Sequence, residues 1–141
     1  MTNIEAMAQH VTDLCKAFNI VAEVRPDMKP EQASSGHLLG TVPYVKIPPV
    51  VDDTSYAVAL HEIGHMLAPL GSFRHTEITQ KFLQRHPAEL ARLKRLRLDE
   101  EYAAWEWAKH HALDWTTGME QVYRYAIGTY ESGISYPGRD A

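Results

Sequence analysis

The sequence predicts an α+β domain, with a small sheet early in the chain and helices after it. Three observations lead there. Apolar residues recur at helical spacing near the N terminus and again through most of the second half. Between them, "IVAEV" (20 to 24) and "HLLGTVPYVKIPPV" (37 to 50) carry short β-branched runs cut by Gly and Pro. The 141 residues, 45% of them hydrophobic and without an internal repeat, suit one core, so residues 1 to 141 are read as a single domain.

The first helix is predicted from Ile4, Met7, Val11, Leu14, Cys15 and Phe18, with Thr2 and Glu5 as a capping box. A strand at 20 to 24 ends at Arg25-Pro26, and "RPDMKPEQASSG" after it reads as a turn-rich, mobile stretch. Two more short strands are expected about Gly40 to Pro43. Pro48 and Pro49 lack the N–H a ladder needs, so the second of them ends there or lies at an edge.

Asp52, Asp53 and Thr54 supply cap chemistry for the next helix, which Pro69 and Gly71 stop. A short helix from Thr76 through Ile78, Phe82 and Leu83 follows, and Pro87 suits the first turn of a long periodic segment running to about Trp115. The last helix is predicted from a capping box of Thr117 and Glu120 to near Gly133, leaving 134 to 141 as a flexible tail.

The formal net charge of -4 offers no global attraction to nucleic acid or anionic membrane, and neither is expected as a partner. "ARLKRLR" groups Arg92, Lys94, Arg95 and Arg97, read as the charged outer face of a helix whose leucines pack inward. Cys15, the single cysteine, is read as a buried small apolar residue in a reducing compartment. With no leader and no apolar run near the ~18 residues of a membrane span, the expected location is the cytoplasm.

The chemistry concentrates in "YAVALHEIGHMLAPLG", residues 56 to 71. Residues four apart on a helix differ by about 40° around the axis, so His61 and His65 share a face and can grip one ion. Glu62, rotated by about 100° from His61, stands beside that ion, where a general base for an activated water belongs. This is the H-E-x-x-H logic of zinc metallopeptidases, with one Zn2+ per chain. Tyr56, Ala59, Leu60, Ile63 and Leu67 make the helix apolar on several sides, where solvated histidines have no reason to be. Gly64 in mid-helix costs about 1 kcal/mol relative to Ala, so something is expected to pack closely against it.

The third ligand comes from elsewhere. A three-histidine site would place Gly at 68 and His at 71, where this chain has Ala68 and Gly71. His75 remains within reach, but a carboxylate in "LDEEYAAWEWAKHHALDW" (98 to 115) is better supported. Leu98, Ala104, Trp105, Ala108, Ala112 and Trp115 fall within about 60° of Glu101, placing that carboxylate in the middle of an apolar stripe where it needs a cation. Asp99 and Glu106 face away and Glu100 lies at the margin, so all three are expected to be solvated. His110 and His111, on the flank, are ordinary solvated histidines in this reading, with a role as proton donor the alternative. Tyr123, Tyr125 and Tyr130 on the last helix each could stabilise an oxyanion, and the sequence does not choose among them.

"HEIGH" followed by "EYAAWEWA" at 101 to 108 resembles the ImmA/IrrE-type metallopeptidases of bacteria and their phages, and the lead-in "IPPVVDDTSYAVALHEIGH" is similar to phage-encoded relatives. Glu101, Ala104, Trp107 and Ala108 fill the places of that family's ligand-helix motif. The resemblance covers roughly residues 44 to 108. It implies a minimal zincin-like domain of gluzincin type: a short sheet whose edge strand pairs with an extended substrate, an active-site helix, and a ligand helix after it. For a phage-encoded protein the place of action would be the host cytoplasm. Trp105 stands where relatives often carry an acidic residue, and Trp accepts no hydrogen bond, so it cannot orient a ligating histidine as a carboxylate would.

The function expected from the sequence is therefore zinc-dependent hydrolysis of a peptide bond in an intracellular protein, with His61, His65 and Glu101 as metal ligands and Glu62 as base. The alternative is a protein-binding module stabilised by a structural or vestigial zinc site.

Overall fold

In the computed structural model, residues 3–68 and 87–131 are described. Thr2, His75, the expected helix from Thr76 and the tail from 134 lie outside the described residues. The elements are α1 (Asn3–Ala17), β1 (Val21–Val24), a 3-10 turn at Pro30–Gln32, β2 (Ser34–Leu38), β3 (Val42–Ile47), α2 (Asp53–Leu67), α3 (Pro87–His111) and α4 (Thr117–Glu131). The α+β class with an early sheet is as the sequence predicts.

α1 turns its Met7, Val11 and Cys15 face to the core, while Ile4 and Phe18, at its two ends, stay exposed. It closes on Asn19, whose φ of 55° puts it in the left-handed region that Asn tolerates. Ile20 N–H then reaches back to the Cys15 carbonyl at 2.9 Å and Asn19 N–H to that of Lys16 at 3.4 Å, which satisfies helix-end acceptors and drops Ile20 into the core.

The sheet has the order β1-β3-β2, with β1 parallel and β2 antiparallel to β3. β3 is thus the central strand, and it ends at Ile47, before Pro48. Pairing with β1 begins only at Tyr44, so the missing N–H of Pro43 costs nothing on that side. The β2–β3 connection is three residues, Leu39 to Thr41, in which Leu39 and Gly40 both have positive φ, 51° and 77°, and Thr41 N–H bonds the Leu38 carbonyl at 3.1 Å. The strand β2 starts earlier than predicted. Ser34, Ser35 and Gly36, placed by the sequence in a mobile stretch, pair with Lys46, Val45 and Tyr44. Gly36 belongs there for a packing reason: a Cβ at this position would meet the Tyr44 ring at 3.0 Å.

α2 is the centre of the molecule. Asp52 caps it, accepting from Ser55 N–H at 2.8 Å, while the Ser55 hydroxyl oxygen accepts from Asp52 N–H at 3.1 Å. Every residue from Ser55 to His65 is buried, because the sheet, α1, α3 and α4 all pack on this helix. α3 comes closest. A Cβ on Gly64 would lie 2.4 Å from the Ala104 carbonyl oxygen, which is the close approach the mid-helix glycine predicts. Gly64→Ala is therefore expected to force the two backbones apart. Its cost of about 1–3 kcal/mol or more from overpacking outweighs the ~1 kcal/mol helix-propensity gain. A denaturation midpoint equal to or above that of the parent protein would show a looser crossing than this.

α3 ends at His111, short of the predicted Trp115, because Leu113 N–H bonds the Tyr56 hydroxyl at 2.9 Å instead of continuing the helical ladder. The cap of α4 also differs from the prediction. Thr116, not Thr117, accepts from Met119 N–H at 3.2 Å, and it donates to Asp53 Oδ2 at 2.8 Å, tying α4 to the start of α2. Glu120 is engaged by Trp115 Nε1 at 2.8 Å and by Lys109 and Arg124, each at 3.1 Å, which removes it from capping. Among the described residues no helix is long and apolar enough to cross a membrane.

Candidate metal centre

His61 and His65 project from α2 at the level where Gly64 lets α3 come close, and Glu101 meets them from α3. His61 Nε2 lies 2.9 Å from Glu101 Oε1, and His65 Nε2 lies 3.0 Å from Glu101 Oε2. The three residues are 8%, 7% and 2% exposed, and one ligand atom from each falls within 4.8 Å of the others. Two imidazole nitrogens converging on one buried carboxylate form a donor set that suits zinc.

The other ring nitrogens are also engaged. His61 Nδ1 lies 3.2 Å from Glu62 Oε2, and His65 Nδ1 lies 3.2 Å from Glu100 Oε1. Glu100 therefore corrects the sequence expectation: it is 6% exposed rather than solvated, and Arg97 Nη1 lies 3.9 Å from the same oxygen. A single facing direction on the helical circumference was too narrow a criterion. At so close a crossing, histidines one turn apart present four ring nitrogens across a wide arc, and neighbouring residues of α3 both reach them. Arg97 corrects it too. Arg92, Lys94 and Arg95 are exposed as expected, but Arg97 turns inward to Glu100 and hydrogen bonds Tyr130.

Trp105 raised the question of what orients the ligands. Its ring stacks on His61 with centroids 4.1 Å apart and planes at 13°, and on its other side it stacks with Tyr123 at 5.5 Å. Orientation of His61 thus comes from ring packing together with Glu62, and that of His65 from Glu100.

Burial alone would push the Glu101 carboxyl up, but the charges and hydrogen bonds of His61 and His65 outweigh it and hold it well below the usual carboxylate range. Glu62 behaves likewise, with His61, His65 and the Ser35 hydroxyl overcoming burial to lower it, so it is an ionised acceptor. Burial would lower both histidines, yet the carboxylates raise His61 and raise His65 well above its ordinary value. Without an ion, the carboxylates thus favour the protonated imidazoles, and a metal competes with those protons.

The centre forms the floor of a cleft of ≈ 1110 Å³. The edge strand β2 lines one side through Ser34 to His37, and α4 lines it through Val122, Tyr125, Ala126, Thr129 and Tyr130. Asp99 and Glu106 are exposed as expected. His110 and His111 are exposed and do not line the cleft; His111 Nδ1 donates to the Trp107 carbonyl at 2.8 Å and its ring stacks on Trp107. The sequence reading missed Ser35, Arg97 and Glu100. For Arg97 a signal existed, since it stands four residues before Glu101 and so shares its face. Comparison of the chain with protein-family models, with curated proteins and with solved structures gave no match.

Proposed function

We propose that this chain is a zinc-dependent peptidase of zincin-like, ImmA/IrrE-related type, which hydrolyses a peptide bond in a cytoplasmic protein or peptide. One observation carries the reading: His61 Nε2 and His65 Nε2 lie 2.9 and 3.0 Å from the two oxygens of Glu101, with Glu62 beside them in a cleft. His61, His65 and Glu101 would hold one zinc. Bound there, zinc would supply Lewis acidity toward a water and a scissile carbonyl.

The chain's own residues supply the rest. Glu62, ionised and steadied by Ser35, accepts the proton of the attacking water. Glu100 and Trp105 keep the two imidazoles oriented. β2, at the edge of the sheet and along the cleft, offers backbone groups that an extended substrate can pair with. The resemblance of "HEIGH" and "EYAAWEWA" to the family supports the same reading.

A second reading, a protein-binding module with a structural zinc, is favoured by one contact: Glu62 Oε2 sits 3.2 Å from His61 Nδ1, a place from which it could serve only to orient that ligand.

The test is calorimetric titration with zinc in two buffers of different ionisation enthalpy. One ion per chain is expected, with protons released because both histidines are raised in its absence. Hydrolysis of unfolded casein should stop with chelator and return with zinc. Absence of saturable zinc binding would overturn both readings; binding without hydrolysis would favour the second.

A further inference from the structure

Away from the metal centre, one chain of hydrogen bonds joins three parts of the fold. Tyr56, near the start of α2, is fully buried, and its phenol oxygen accepts the Leu113 N–H at 2.9 Å. The same oxygen lies 2.7 Å from Nδ1 of His10, a half-buried residue of α1. The connection between α3 and α4 is therefore tied to α2 at Tyr56, and again at Asp53, to which Thr116 donates at 2.8 Å. That connection carries α4, whose Val122, Tyr125 and Ala126 form a wall of the cleft.

The protons along this chain can be assigned. A backbone N–H only donates, so Leu113 occupies a lone pair of the phenol oxygen and leaves the phenol proton to be given elsewhere. Among the described residues its acceptor is His10 Nδ1, which is then the bare nitrogen of a neutral imidazole whose proton sits on Nε2. A protonated ring would instead point a second N–H at the same buried oxygen, and the phenol O–H would lose its acceptor. The surroundings discriminate against the charged ring as well. Burial of His10 acts in that direction and so does His111 at the end of α3, while Asp13 on α1 opposes them and Asp114 stands near the phenol.

We propose that His10, Tyr56 and Leu113 form a pH-sensitive latch on the α3–α4 connection, closed while His10 is neutral and released when it takes a proton. Release removes one of the bonds that anchor the connection to α2, so mild acid loosens the cleft wall that α4 supplies. The sign follows from which state prefers the neutral ring. The folded chain prefers it more than the unfolded chain does, so the latch's contribution is whole above the ordinary histidine value of about 6.5 and is lost as pH falls below it. The latch needs neither an ion nor a substrate, and it stands whether or not the peptidase reading does.

The experiment compares the full-length protein with His10→Asn, whose Oδ1 replaces Nδ1 as acceptor for the phenol proton but cannot itself take a proton near neutral pH. At about pH 7.5 the Leu113 amide should be protected from hydrogen exchange equally in both. At about pH 5.5 its protection factor should fall by about tenfold in the parent and hold in His10→Asn. The histidines of the metal centre are common to the two proteins, so their titration cancels in the comparison. A second measurement needs no variant and decides alone should His10→Asn not fold. At about pH 7.5 the ring-nitrogen NMR shifts of His10 should show a bare Nδ1 and a protonated Nε2, and the ring should titrate below about 6.5. A proton on Nδ1 at about pH 7.5, a midpoint at or above about 6.5, or equal protection of Leu113 in parent and variant at about pH 5.5 would overturn the latch.

Discussion

Glu62→Gln is expected to keep its zinc and to lose hydrolysis by about 10²–10⁴-fold, the range typical of a removed general base. The amide is nearly isosteric with the carboxylate, and it can still take the Ser35 hydroxyl and the His61 N–H as donors through its oxygen. What it cannot do is accept a proton from water. The measurement is zinc content by metal analysis alongside casein cleavage at saturating zinc. A variant that cleaves at the parent rate would show that Glu62 is only the orienting partner of His61 and that the base lies elsewhere. A variant that loses its zinc would point to the structural reading, in which the Glu62–His61 contact serves metal affinity.

Glu101→Ala should have the largest effect on the metal and on the fold together. It removes one of the three proposed zinc ligands and leaves two buried imidazoles without the carboxylate both their Nε2 atoms face. Breaking a buried, hydrogen-bonded charge cluster by deleting one partner costs about 3–5 kcal/mol, so the metal-free variant should melt well below the metal-free parent. Glu100→Ala should behave differently, and not as the solvated residue the sequence suggested. It takes the acceptor from His65 Nδ1 but leaves all three ligands, so zinc affinity should fall by about 10–100-fold without being abolished. Titration of both variants checks the order. Zinc retained by Glu101→Ala and lost by Glu100→Ala would mean that the ligand roles on α3 are exchanged.

Much of the site was legible because its geometry is local. His61, Glu62 and His65 lie within one helical turn and a half, and the turn of an α-helix sets their angles whatever packs around them. Glu101 was legible for a different reason, as a carboxylate in the middle of an alanine-rich stripe, a position that makes no sense without a cationic partner. Gly64 announced a close neighbour through the cost of a mid-helix glycine, though only the fold identified that neighbour as the backbone of Ala104.

The errors fall where partners are distant in sequence. Ser34 to Gly36 read as mobile because their strand character comes from β3, eight to twelve residues on, and not from their own propensity. α3 stops early because the hydroxyl of Tyr56, 57 residues before Leu113, captures the next N–H. Glu100 read as a surface residue because a helical circumference assigns one inward direction, whereas its burial depends on how closely α2 crosses α3; Arg97 shares the inward face of Glu101 and read as a surface residue only through the basic run around it. The sequence by itself determined the class of fold, the histidine pair with its neighbouring glutamate, and the carboxylate that meets them, since each follows from helical periodicity and the cost of burying charge. Only the tertiary structure decided which groups orient those histidines and which tyrosines share their cleft, because those contacts join residues from helices and strands whose relative placement no local pattern encodes.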